Sequence, residues 1–282
     1  MIMKEESKAK KITVKIIVWA LVLFWCVVSF LPFFFMVMAT FKEQFELLMG
    51  GVFKLPEKLY LNNYIEVFQG SIWNYLKNSV IVLVVSLTIL LFISACASYP
   101  LSRFKFKMNK PIYSLVVACM SVPIHVTLLP IFLMAVRTNL YDSIWALIGP
   151  YIAFNLPISV FILVTFMQGI PKELEEAAEI DGCGKYRMFW SIMFPLVKPG
   201  LATLAIYNSV NMWNEFSFAL TLTQSAQNRT LPLAIWEYQG QYAMNVPMIM
   251  TVLVVSVLPM IVAFIFGQDK LIKGMMAGAV KG

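Results

Sequence analysis

The sequence predicts an all-α integral membrane protein with six transmembrane helices, and three observations carry that reading. Of its 282 residues, 60% are hydrophobic and only 13% charged, with a mean hydropathy of +0.77, values that a soluble core does not reach. The apolar runs are continuous over about 20 residues, the length that crosses hydrocarbon as a helix, instead of alternating over about ten as barrel strands do. The basic residues sit in short clusters flanking those runs, so the net charge of +7 reports membrane topology and not nucleic-acid binding.

The first 15 residues carry Lys4, Lys8, Lys10, Lys11 and Lys15 and read as a tail before a first span over 16–40. The run is too long for the apolar core of a cleaved signal peptide, and Pro32 within it is a tolerated kink. Residues 41–77 mix aromatic and charged side chains and read as an extracytoplasmic segment, helical around Asn63 to Phe68. A core over 78–267 then holds five spans: Asn78 to Tyr99; Pro111 to Val136 with Pro123 and Pro130 inside it; Ile144 to Gln168 with Gly149, Pro150 and Pro157; Pro199 to Thr223; and Pro247 to Phe266. Residues 268–282 form a closing tail.

Short loops rich in Lys and Arg stay on the cytoplasmic side. The N-terminal tail, the 103–110 loop, the 171–198 loop and the closing tail hold 16 basic residues; the other side holds six, namely Lys42, Lys54, Lys58, Lys77, Arg137 and Arg229. This asymmetry places both termini and the 171–195 loop in the cytoplasm of a plasma-membrane protein.

Cys26, Cys96 and Cys119 fall in spans and Cys183 in the 171–195 loop, so no disulfide or metal site is expected. His125, between two prolines of the third span, is the lone histidine. An intramembrane polar side chain is a pathway candidate, set against a packed, hydrogen-bonded structural role. No catalytic constellation is present. Gly182-Cys183-Gly184-Lys185-Tyr186 has Glu179 and Tyr186 where a phosphate-binding loop needs its first glycine and a Ser or Thr, so the chain is expected to bind no nucleotide.

Two stretches carry chemistry. In the fifth span, Asn208, Asn211, Trp213, Asn214 and Glu215 form the most polar run, and Asn208, Asn211 and Glu215 at i, i+3 and i+7 share one helical face. A charge in hydrocarbon costs roughly 2.5 to 3.5 kcal/mol on insertion scales, so Glu215 should face a water-filled path or a buried polar network between helices.

The second is the 171–195 loop. Pro171 suits a first helical position, Glu173, Glu175 and Glu176 suit the positive helix end, and Gly182 can take the left-handed conformation that ends it. A second short helix is expected from Gly184 until Pro195 breaks it. Adjacent Ala177 and Ala178 present a face of little bulk for another backbone. A solvated connector between spans would share the caps and charges, but not the residue order.

Glu176-Ala177-Ala178, Gly182 and Ile192 to Pro195 resemble the EAA loop, E-A-A-x3-G-x9-I-x-L-P, of ABC-transporter permeases, with Phe194 in place of Leu. With Tyr99 to Phe104, Ser121 to Pro123, Leu129-Pro130, Ile170 to Ala178, Ile180 to Gly182, Trp213 to Phe216, Thr230 to Pro232 and the closing Ala277 to Gly282, the chain resembles the carbohydrate-uptake, MalG-like branch of that family. His125 and Gly184 depart from residues common there.

The resemblance implies a type I ABC importer permease fold. It implies a chain that is no enzyme and holds no cofactor. The partners would be a second permease, two cytoplasmic ATPases using ATP and Mg, and an extracytoplasmic sugar-binding protein, with lipid around the spans. Glu175, Glu176, Ala177, Ala178, Asp181, Gly182, Ile192 and Pro195 would couple to the ATPase, and the tail at Gly278, Val280, Lys281 and Gly282 would reach it. The same machine moving glycerol phosphate is an alternative. A secondary transporter would need repeats and paired intramembrane carboxylates, which the sequence lacks.

Overall fold

The fold comes from a computed structural model that describes residues 8–239 and 244–279, with side chains described over 12–239 and 244–268. Thirteen α-helices order the described residues, joined in places by short 3-10 or π segments: α1 Lys8–Thr40, α2 Gln44–Gly50, α3 Asn62–Gln69, α4 Ile72–Arg103, α5 Asn109–Cys119, α6 Leu128–Arg137, α7 Ile148–Gln168, α8 Glu173–Ile180, α9 Lys185–Met188, α10 Phe194–Leu196, α11 Lys198–Trp213, α12 Ser217–Leu222 and α13 Val246–Ala279. Among the described residues the one β pairing is an isolated bridge between Gln239 and Met244. Four helices are long and apolar enough to cross a membrane, and six spans result when each of two bent pairs counts as one.

The chain divides into two compact units. One holds residues up to Gln69 together with Glu237–Val255. In it α1, about 50 Å long at 1.5 Å per residue, leaves every side chain from Ile12 to Phe33 exposed, as a helix surrounded by lipid or by another chain would. After α1 the backbone is folded by side chains. Lys42 is 1% exposed, and its ammonium donates to the carbonyls of Gly51 (3.0 Å) and Lys54. Asn63 donates to the carbonyls of Thr40 and Lys42, at 2.8 and 2.9 Å. The helix expected around Asn63 is α3; α2, carrying Leu47 inward, was not anticipated.

The second unit, Gly70–Trp236 with Ser256–Gly282, is built around α4 and α7. α4 begins at Ile72, six residues before the expected start, because Tyr75 and Asn78 are buried and extend its packed face. Its serines Ser86, Ser94 and Ser98 are fully buried, and Ser98 donates to the carbonyl of Val160 on α7. Small side chains of this kind let membrane helices approach closely. On α11, Gly200 does the same against α7, since a Cβ there would sit 3.2 Å from the Phe166 ring.

Two expected spans are broken. The third divides into α5 and an arm over Ile124–Arg137, bent by 92°. Pro123, in extended backbone, cannot donate a hydrogen bond and opens the second arm, whereas Pro130 lies in the first turn of α6, where its missing N–H costs nothing. The fifth ends at Trp213 and resumes only as α12, so the expected continuous helix to Thr223 is not formed.

Between those breaks lies a knot of side-chain-to-backbone bonds. Asp142, at φ 56°, accepts from the N–H groups of Gln224 and Ser225 at 2.8 and 2.9 Å, and its own N–H donates to the carbonyl of Leu222. Asn78 on α4 donates to the carbonyls of Gln227 and Arg229, and Ser79 accepts from the N–H of Leu231. Burial raises the Asp142 carboxyl, but the N–H groups of Gln224 and Ser225 outweigh it and hold the group below its ordinary 3.8. A depressed carboxylate stabilises the fold above its unfolded pKa, and that contribution disappears as pH falls through the folded value. The melting temperature of Asp142→Asn should therefore lie below that of the wild type at pH 7 and begin to converge with it only as pH falls below about 4, measured by thermal unfolding in detergent.

Candidate coupling hairpin and solute recess

The 171–195 stretch folds as a helical hairpin. α8 starts at Glu173, two residues after Pro171, with the N–H groups of Glu175 and Glu176 both donating to the Lys172 carbonyl. Glu173, Glu175 and Glu176 fill its first turn, where negative charge meets the positive helix end. Its end matches the sequence expectation. Gly182 sits at φ 79°, its N–H bonded to the Glu179 carbonyl, while the N–H of Cys183 reaches the Ala178 carbonyl at 2.9 Å. That reciprocal pair closes the last turn and fixes the direction of the turn into α9.

Pro195 does not break the second arm. From Phe189 to Met193 the helix widens into a π turn, with the N–H of Phe194 reaching back to the Phe189 carbonyl. The wider turn precedes the residue that has no N–H to donate, and Pro195 continues in α10. The bend, 66° between Lys185–Leu196 and Lys198–Trp213, comes at Val197.

The expectation that Ala177 and Ala178 form one open face needs correcting. Ala178 is buried in a cluster with Tyr99, Met167, Met188 and Phe189, and Ala177 alone faces out. One small residue allows the hairpin to close on the bundle; the other leaves its outer surface low. Glu176, Asp181 and Gly182 are exposed beside Ala177, as are Ile180 (87%) and Tyr186 (89%), apolar surface with no cover among the described residues. Ile192 is half-buried and Pro195 exposed.

Glu175 also turns inward. Its Oε1 lies 2.6 Å from Nε of Arg103, whose side chain is 3% exposed, and Nη2 of Arg103 donates to the Ile170 carbonyl at 2.8 Å. The Nε–H is not aligned on that oxygen, so the contact is ionic rather than a hydrogen bond. Burial pushes the Glu175 carboxyl up from its ordinary value, while the Arg103 guanidinium pulls it down.

The polar run of the fifth span separates into three fates. Asn208 is fully buried and donates to Oγ of Ser159 at 3.0 Å, holding α11 to α7. Trp213 is buried, its Nε1 donating to the Ser256 carbonyl, and Asn214 faces out with its amide bonded to the Val210 carbonyl. Only Asn211 and Glu215 line an open recess of about 420 Å³. The expected single face through Asn208, Asn211 and Glu215 fails because α11 ends at Trp213. His125 is exposed and lies off the recess lining, and its imidazole has no hydrogen-bond partner among the described residues.

Glu215 closes the break after α11. Its Oε1 accepts from the N–H of Phe218 at 2.8 Å, its Oε2 from the N–H of Ala219 at 3.1 Å and from the Tyr151 hydroxyl at 3.0 Å. The carboxylate thus caps α12, whose first N–H groups would otherwise be unpaired. The sequence reading missed the opposite wall. Tyr151 and Asn155 line the recess from α7, Tyr207 lines it from α11, and the Phe154 and Phe218 rings stack with centroids 5.5 Å apart. Tyr151, Asn155 and Ser159 recur every four residues in an apolar helix, a signal that was available.

Residues 89–275 match the family described as "Binding-protein-dependent transport system inner membrane component". The chain belongs to that family. The permease is 51% identical over 92% of its length to ABC transporter permease protein ORF2 of Caldicellulosiruptor sp. (strain Rt8B.4), covering 94% of that protein. It is 32% identical over 97% of its length to all of the arabinooligosaccharides transport system permease protein AraQ of Halalkalibacterium halodurans. Its fold is that of a chain from a bacterial ABC transporter involved in import of the acidic polysaccharide alginate, with a TM-score of 0.79 at 19% identity, over 94% of the permease and 98% of that chain. The EAA resemblance, the ABC importer permease fold and the multi-pass membrane location are thereby borne out. The tail positions Val280, Lys281 and Gly282 lie outside the described residues, and of Gly278 only the helical backbone of α13 is described.

Replacing Glu215 with Ala leaves the Phe218 and Ala219 N–H groups without their acceptor and should lower the permease's stability by about 2 kcal/mol or more. Glu215→Gln keeps one acceptor oxygen and should lose about half as much. Unfolding of the detergent-purified protein measures both, and equal losses would show that capping is not what the carboxylate does.

Proposed function

We propose that this permease forms half of the solute path of an ATP-driven, binding-protein-dependent oligosaccharide importer, and that the α8–α9 hairpin docks on a separate cytoplasmic ATPase. The observation that carries the proposal is the hairpin itself: a capped, rigid helix with Ala177, Glu176, Ile180 and Tyr186 exposed, on a chain with no phosphate-binding motif of its own. A rigid hairpin transmits a partner's closure as rigid-body movement, which a flexible loop would absorb. The excess of basic residues flanking the hairpin supports its cytoplasmic placement, and with it cytoplasmic termini.

The recess supports a polyhydroxylated solute. The Asn211 amide and the Tyr207 hydroxyl have no hydrogen-bond partner among the described residues, and both stand near stacked aromatic rings. Sugars present hydroxyls and apolar ring faces together, so such a wall suits them. The relative named for arabinooligosaccharides points the same way. A second permease would supply the other wall, an extracytoplasmic binding protein would deliver the solute, and two ATPase subunits would hydrolyse ATP with Mg. The closing tail, including Gly278, Val280, Lys281 and Gly282, would extend toward the ATPases.

Ala177→Trp places a large ring on the docking face at an exposed site. It should abolish uptake and ATPase copurification while leaving insertion and expression at wild-type levels; undiminished uptake would remove the docking assignment. Asn211→Ala and Tyr207→Phe should instead weaken uptake with the ATPase still bound, read from solute flux in proteoliposomes.

A further inference from the structure

We propose that Arg103 is the positioning residue through which the coupling hairpin drives α4, making α4 a direct connecting rod from the hairpin to the loop at 223–231. The proposal rests on the coupling reading of the hairpin given above. By chain connectivity, α8 is joined to α7 and α10 to α11, so movement would be expected to enter the bundle through those two helices. The side chains add a third route, into a helix some 70 residues earlier.

The end of α4 holds both arms of the hairpin. Arg103 pairs with Glu175 on α8 and donates to the Ile170 carbonyl just before it. The next residue, Phe104, receives the Lys185 ammonium over its ring at 4.9 Å, and Lys185 opens α9. Tyr99, one turn earlier on α4, packs on Phe104 (5.1 Å) and on Phe189 of the π turn (5.3 Å). A charge pair, a cation over a ring and one aromatic contact thus bind one helix end to α8, α9 and the π turn.

The other end of α4 is tied as firmly. Asn74 and Asn78 donate to the carbonyl of Gln227, Asn78 also to that of Arg229, and Ser79 accepts from Leu231. From Ser79 to Arg103 the helix is continuous over about 36 Å, with Pro100 near its end the one residue that donates no backbone hydrogen bond. A stiff rod with side-chain ties at both ends carries displacement from one to the other.

Among these ties Arg103 stands out. Its charge has little solvent around it, and it is the charged tie between α4 and α8, beside the apolar packing of Ala178. A buried cation that loses its carboxylate partner, or the reverse, is strongly disfavoured, so the pair resists separation while the hairpin moves. Glu175 is thereby taken from the list of residues that touch a partner and becomes an internal link; Glu176, one position on, remains outside.

The test uses the assembled transporter, this chain with its partner permease, ATPases and binding protein, in proteoliposomes. Three quantities are read: ATPase copurifying with the chain, ATP hydrolysed, and solute imported per ATP. Arg103→Gln should keep the ATPase bound and hydrolysing while solute per ATP falls about fivefold or more, the lower range of free energies that couple distant sites. Arg103→Lys, which keeps the charge, should recover most of the ratio. A merely structural Arg103 would reduce the amount of assembled complex but leave solute per ATP unchanged in what remains, and that result would overturn the proposal. Should Arg103→Gln fail to insert, Arg103→Gln with Glu175→Gln removes both charges together; a lowered ratio there supports the proposal and a wild-type ratio overturns it. A wild-type chain that captured no ATPase would sink the coupling reading and not this link alone.

Discussion

The constraint on which the structure depends is that a chain this apolar has little water to offer a backbone group released where a helix stops. Three interruptions in the second unit are closed by side chains. Glu215 takes the N–H groups of Phe218 and Ala219 after α11 ends, Asp142 takes those of Gln224 and Ser225, and Asn78 fills the carbonyls of Gln227 and Arg229. Irregular backbone is tolerated among membrane helices only where it is satisfied in this way. The breaks are therefore fixed features with defined directions, and the recess exists because α11 stops where it does.

The same constraint explains why polar residues were hard to rank by function from their type alone. Asn208, Trp213 and Glu215 all have the composition of a solute path, and all three are engaged in holding the protein together. Asn211 and Tyr207 are left with unpaired hydrogen-bonding groups toward an opening. In a bundle of this kind the polar groups available to a solute are those that the backbone and neighbouring helices have not already claimed.

The α8–α9 hairpin shows a comparable division on a single helix. α8 is only eight residues long, yet its two faces do opposite work: Ala178 and Glu175 join the bundle, while Glu176, Ala177 and Ile180 face out. Neither face suffices alone. The inner one ties the hairpin to α4, and the outer one stays exposed.

What the sequence determined by itself was whatever rests on local rules. Helix length, apolar runs and flanking charge established six spans; Gly182 announced the left-handed residue that ends α8; the order Glu176, Ala177, Ala178, Gly182 pointed to the permease family before any fold was known. Tertiary structure alone decided which way each side chain turned and what it met. That Ala178 is inside and Ala177 outside, that Arg103 reaches Glu175 across 72 positions, and that Glu215 is spent on capping α12 all depend on neighbours distant in sequence. Local spacing defines a helical face, but the partner packed against that face determines whether a polar group on it is claimed or left free.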